Sequence, residues 1–199
     1  MDVKIKKEGE VKKFKLIKKW SDVSLEKWVK LINFHTGSKS SEALNTIAEL
    51  SNIPDKLIKE LALRDVVAIM SQIAKLQAKQ NSSLASVVEI DEIRYGFHPD
   101  LDSITLGEYA DIETFIKDGV EKNMPELMAI LYRPIKEEKN DVYTIDAYDG
   151  NIRIRAEQMK KMSAEQVQSA LLFFYNFGNV FLVSMHLYLI GQQKETKQQ

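Results

Sequence analysis

Cysteine is absent from the 199 residues, which removes disulfides, thiolate zinc ligation and a thiol nucleophile together. Sulfur chemistry is left to methionine, and a reducing cytosol is compatible with the composition. Histidine occurs only at His35, His98 and His186, and no two of these have the four-residue spacing of a helical metal site. No metal ligands are expected. Gly-x-Gly-x-x-Gly and phosphate-loop patterns are missing, and Gly107 and Gly150 fit a helix start and a turn better than a phosphate cradle. The serines have no nucleophile-elbow context. With no base or metal constellation either, the expectation is a protein without catalytic residues and without a cofactor. A surplus of one charge is lacking too: 28 basic against 29 acidic residues leave a net charge of -1, which gives no overall field for holding nucleic acid.

What remains is an ordinary globular composition, 44% hydrophobic and 29% charged, in a chain long enough to bury a core without staples. The first nineteen residues depart from it, with eight lysines against Asp2, Glu8 and Glu10. Val3, Ile5, Val11 and Phe14 alternate with those lysines on either side of Glu8-Gly9, a pattern that predicts a hairpin with a lysine-rich solvent face. A signal peptide would instead follow its lysines with an unbroken apolar stretch, so secretion is not expected. Nor is specific nucleic-acid binding, because the lysines are not interleaved with exposed stacking aromatics.

Helical periodicity then takes over. Ser24 can cap a helix carrying Leu25, Trp28, Val29 and Ile32, and further periodic segments follow through Leu44 and Ile47, from Pro54 through Leu61, and from Val66 through Leu76. The polar stretch 79–83 is the best internal boundary, dividing the chain into 1–80 and 81–199, or leaving one compact domain. Short β-favouring pieces flank Asp91-Glu92 as a second hairpin over residues 87–97. Thr105-Leu106-Gly107-Glu108 and Ser163-Ala164-Glu165-Gln166 both have the form of a capping box. The first opens a helix bearing Leu106, Tyr109, Ile112 and Ile116. Asn123 to Leu131 reads as another helix, closed by Arg133-Pro134; Lys136 to Asp141 reads as a charged loop, and Val142 to Ile145 as an edge strand. The expected fold is mainly α with minor β, a helical bundle with two small β-hairpins and a long C-terminal helix over residues 164–190.

Some polar residues invite a chemical reading. Asp146, Asp149 and Gly150 have a superficial calcium-loop look, but Ala147 and Tyr148 stand where oxygen ligands are required. Glu108, Asp111 and Glu113 are read as a solvated helix face, and Arg133 as capping helix carbonyls in preference to reaching a carboxylate such as Asp111.

From Val167 through Gln193 no residue is charged, which by length admits a membrane span. Asn176, Asn179, Ser184 and His186 argue instead for a helix covered by protein, within the chain or between subunits. Such a helix has more apolar surface than a domain of this size needs for its own core, so a homo-oligomer or a protein partner is expected. Its candidate protein-binding residues are Phe173, Phe177, Phe174 and Phe181.

Trp20 to Leu25, Leu50 to Pro54, Ile104 to Tyr109 with Asp111-Ile112, Leu127 to Pro134 and the pair Phe173-Phe174 together resemble small proteins encoded in the morphogenesis clusters of tailed bacteriophages, which look like tail assembly chaperones. The resemblance covers most of the chain and implies a non-enzymatic assembly role without nucleotide. It implies partners among phage tail or neck proteins, the helical tape-measure protein first, and a location in the host cytoplasm. The alternatives are a structural virion subunit at the head-to-tail junction or in the tail, and a tail-anchored membrane protein.

Overall fold

The computed structural model describes residues 2–7, 10–34, 37–78, 83–140 and 142–173 of the chain. The N-terminal strands β1 (Asp2–Lys7) and β2 (Glu10–Lys15) pair antiparallel, with Val3 opposite Phe14 and Lys4 opposite Lys13. Four helices follow: α1 (Leu25–Phe34), α2 (Lys39–Leu50), α3 (Asp55–Lys59) and α4 (Leu63–Ala78). Ser38 caps α2 by accepting from the Ser41 amide, and Pro54 immediately precedes α3 in extended geometry.

The second half is where the fold departs from a helical bundle with minor β. Strands β3 (Val87–Ile90) and β4 (Ile93–Phe97) form the hairpin at Asp91-Glu92, both of which have positive φ, as a two-residue hairpin turn requires. They belong to a four-stranded antiparallel sheet ordered β3-β4-β5-β6, completed by β5 (Tyr132–Lys139) and β6 (Val142–Ile145). With its two sheets the protein is α+β. The expected loop from Lys136 is the outer half of β5, which bulges between Ile135 and Glu137. It is charged because it is exposed, and Arg94 on β4 donates to Glu138 across the sheet.

Between the hairpins of the sheet lie α5 (Leu106–Asp118) and α6 (Met124–Leu131). Helix α6 is apolar on nearly every side and buried accordingly, packed on α1 and on a further helix, α7 (Ile152–Met159). It passes into β5 with no intervening loop. Proline explains the junction: the preceding Arg133 avoids helical geometry, and the extended conformation that stops α6 starts the strand. Helix α8 begins at 164 behind its capping box, where Gln166 N–H donates to Ser163 Oγ at 3.2 Å, and its described part ends at 173. The expectation that it continues to 190 lies outside the described residues.

Several ties cross residue 80. Leu25 N–H donates to Met162 O at 2.7 Å, Ala164 N–H to Val23 O at 2.7 Å, and the Trp20 indole to Gln168 Oε1 at 3.0 Å. Core residues from Leu16 to Ala170 form one hydrophobic cluster.

Candidate functional site

Helix α5 carries the most unusual chemistry. At its start Thr105 N–H donates to Glu108 Oε2 at 2.7 Å, and Glu108 N–H donates back to Thr105 Oγ1 at 3.3 Å. The geometry points Glu108 into the protein, where it is 1% exposed. Its Oε1 lies 2.8 Å from Arg133 Nη2 and 3.7 Å from His98 Nε2. Arg133 is itself 4% exposed and lies over the Tyr148 ring, 5.9 Å from its centroid. The Tyr148 hydroxyl donates to Asp111.

The arrangement corrects two expectations. Glu108 is not on a solvated face, because the capping box turns it onto the same side as buried Ile112. Arg133 pairs with a carboxylate instead of capping carbonyls, because α6 has already given way to β5 at its position; the carboxylate is Glu108, while Asp111 is engaged by Tyr148. Burial pushes the Glu108 carboxyl up, but the Thr105 hydrogen bonds and Arg133 outweigh it and hold the group below its ordinary value. Burial likewise drives His98 down, although Glu108 works against that. The result is an ionic clamp joining the head of α5 to β5 and to the end of β4.

On its outer side α5 carries exposed apolar residues. Leu106 is 83% exposed, Tyr109 44% and Ile116 43%. Their spacing of three and seven places them on one side of the helix. A second apolar exposure lies at the end of the described part of α8, where Leu172 is 48% and Phe173 42% exposed. Phe173 is partly engaged by its own chain, edge-on to Phe97 with ring centroids 5.5 Å apart. Of the residues expected to bind a partner it is the one described; Phe174, Phe177 and Phe181 lie outside the described residues.

A third surface lies where the N-terminal hairpin meets α3 and α4. Two adjoining clefts of about 610 Å³ each share Ile5, Leu57 and Glu60. Phe14, Leu61 and Ile69 extend the apolar floor. Lys4, Lys12, Lys56 and Arg64 stand along the walls, interrupted by Glu10, Glu60 and Asp65.

No family model, curated protein or solved structure matches the chain. The site must be read from its own geometry. Among the described residues no group of three His, Asp or Glu side chains is placed to hold a metal, and no helix is long and apolar enough to cross a membrane. The Asp146 to Gly150 segment serves local structure: Asp149 accepts from the Asn151 amide at 3.0 Å and from Arg155 at 2.6 Å, and these partners hold its carboxyl down at about 2. Sequence reasoning placed Glu108 correctly in a capping box but missed its burial. The signal was the spacing of Glu108, Ile112 and Phe115, which share a face that Leu106 and Tyr109 do not.

Proposed function

We propose that the chain is a non-enzymatic assembly protein of tailed bacteriophages, a tail assembly chaperone that covers apolar helical segments of the tape-measure protein until tail tube subunits replace it. The observation that carries the reading is the exposure of Leu172 and Phe173 at the end of the described part of α8, within the charge-free run from Val167 through Gln193. A helix that presents large apolar side chains in a segment with no charge to hydrate it offers a surface to another helix by the groove-and-ridge logic of helix recognition. Burying one such phenylalanine against a partner is worth about 1.5–3 kcal/mol, which suits reversible binding.

Two measurements test it. Mass spectrometry of purified particles, beside a pull-down from infected cells, should find the protein bound to the tape-measure protein before assembly and missing from finished particles. Fixed copies in the particle would replace the reading with a structural subunit, and carbonate-resistant membrane pelleting would replace it with a tail anchor. In the second, Phe173→Ser with Phe177→Ser should reduce recovery of the tape-measure protein by about tenfold or more while the circular dichroism spectrum is kept. Unchanged recovery from the folded double variant excludes this segment as the client surface.

A further inference from the structure

Between the end of β4 and the head of α5 the chain makes a short turn that bonds mostly to itself. Asp100 Oδ1 accepts from the Asp102 amide at 3.1 Å, and Asp100 O accepts from both the Ser103 hydroxyl at 2.8 Å and the Ser103 amide at 3.2 Å. Leu101, 9% exposed, is the side chain the turn tucks into the core. Among the described residues, the hydrogen bond that ties the turn to the end of β4 runs from Asp100 N–H to His98 Nδ1 at 3.3 Å. The His98 side chain is 9% exposed, and its other ring nitrogen, Nε2, lies 3.7 Å from Glu108 Oε1. A ring nitrogen that accepts an amide hydrogen carries no proton, so the neutral ring holds its proton on Nε2, toward the buried carboxylate.

We propose that this turn is an acid-released latch: a second proton, taken from solvent at Nδ1 of His98, turns that acceptor into a donor and frees the turn from β4. A protonated Nδ1 can no longer accept the Asp100 amide, and the Asp100 carbonyl, the backbone acceptor offered to the ring, already accepts twice from Ser103. Glu108 on α5 and Asp100 in the turn favour the second proton, and Arg133 on β5 opposes it. Burial opposes it most strongly and holds the imidazole below its ordinary value. Once the turn opens, the ring regains water and its ordinary basicity, so the turn stays latched at neutral pH and opens as pH falls below about 6.5. On either side the backbone is held independently. Phe97 N–H donates to Ser86 O and His98 N–H to Leu131 O, each at 2.7 Å, and Thr105 is fixed in its capping box. The opening is therefore confined to residues 99–104 and bares Leu101, a local event distinct from unfolding. It goes beyond the client-binding reading and does not depend on it.

Nuclear magnetic resonance of the isotope-labelled full chain between about pH 8 and pH 5 tests the proposal. At the alkaline end the His98 ring nitrogens should show the proton on Nε2. As His98 titrates, the Asp100 and Asp102 amides and the Leu101 methyl groups should shift with the same midpoint. The protection of amides 100–104 against hydrogen exchange, corrected for the exchange rate of an unfolded chain at each pH, should fall about tenfold for each unit by which the ring is held below its ordinary value. His98→Gln cannot titrate and should abolish this pH dependence. Asp100→Asn keeps the acceptor for Asp102 but removes a charge that favours the second proton, so the His98 midpoint should fall and the opening of the turn should fall with it. The second variant decides the matter even where the first fails to fold. A proton on Nδ1 at the alkaline end, turn amides that ignore the His98 titration, an opening that persists in folded His98→Gln or parts from the His98 midpoint in Asp100→Asn, or loss of protection at Phe97 with the same midpoint would each overturn the latch.

Discussion

Glu108 combines two tasks that rarely fall to one side chain, capping a helix and neutralising a buried arginine. Its removal should be costly, because Arg133 would keep its charge with no counter-ion in a buried setting. Glu108→Gln is expected to lower stability by about 3–5 kcal/mol in chemical denaturation. The pair Glu108→Leu with Arg133→Met should cost far less than the sum of the single changes, since no charge is then left alone. Acid should mimic part of the loss. His98 is held below its ordinary value, so the unfolded chain binds a proton first as pH falls, and stability declines from about pH 6.5 downward. Glu108 is also held below its ordinary value, so its contribution is intact above the usual carboxylate range and disappears as pH falls through its lowered folded value. Both act in the same direction. Unfolding midpoints measured from pH 8 to pH 3, with a wild-type slope that Glu108→Gln flattens at its acid end, would establish it.

At the scale of elements, Gly96 on β4 makes the sheet possible in its observed form. Tyr143 on β6 lies across it and donates to Phe97 O at 2.8 Å and Ser86 O at 3.0 Å, while a Cβ at Gly96 would stand 2.3 Å from the Tyr143 ring. Gly96→Ala should therefore destabilise the protein by about 1–3 kcal/mol through overcrowding, and Gly96→Ala with Tyr143→Ala should lose less than the two changes added. Thermal melts of the three variants decide this. Elements with a local start signal were legible from sequence: Thr105 and Ser163 opened their helices where the capping boxes stand, and alternation placed both hairpins. Two elements left weaker traces. The exposed half of β5 is charged, so its composition looks like a loop although its backbone is in the ladder. Helix α7 has the right spacing in Ile152, Ala156 and Met159, but over only eight residues, with arginines between them. The clamp was the least legible feature, because a capping box is local whereas Arg133 reaches Glu108 through the return of the chain from α6. Of the expected binding residues, sequence exposed the apolar character of Phe173 but not its edge contact with Phe97.

Across the whole molecule, the N-terminal segment at Val23 to Leu25 and the segment at Met162 to Ala164 hold each other by backbone hydrogen bonds, so the two ends of the described chain stabilise one core. At the centre of that core, α6 runs into β5 without a loop, and Leu127 to Arg133 are all buried. An ordinary helix frays at its last turn, but here the turn is continuous with a paired strand, and His98 N–H donates to Leu131 O at 2.7 Å where the two meet. Solvent can therefore reach these peptide groups only when sheet and helix open together. In a hydrogen–deuterium exchange experiment, the amides from Leu127 to Arg133 should be among the last to exchange, with opening energies approaching that of global unfolding, while those of β1 and β2 exchange early. The seam between the two kinds of secondary structure, usually the softest point of a chain, is here the slowest to yield its protons.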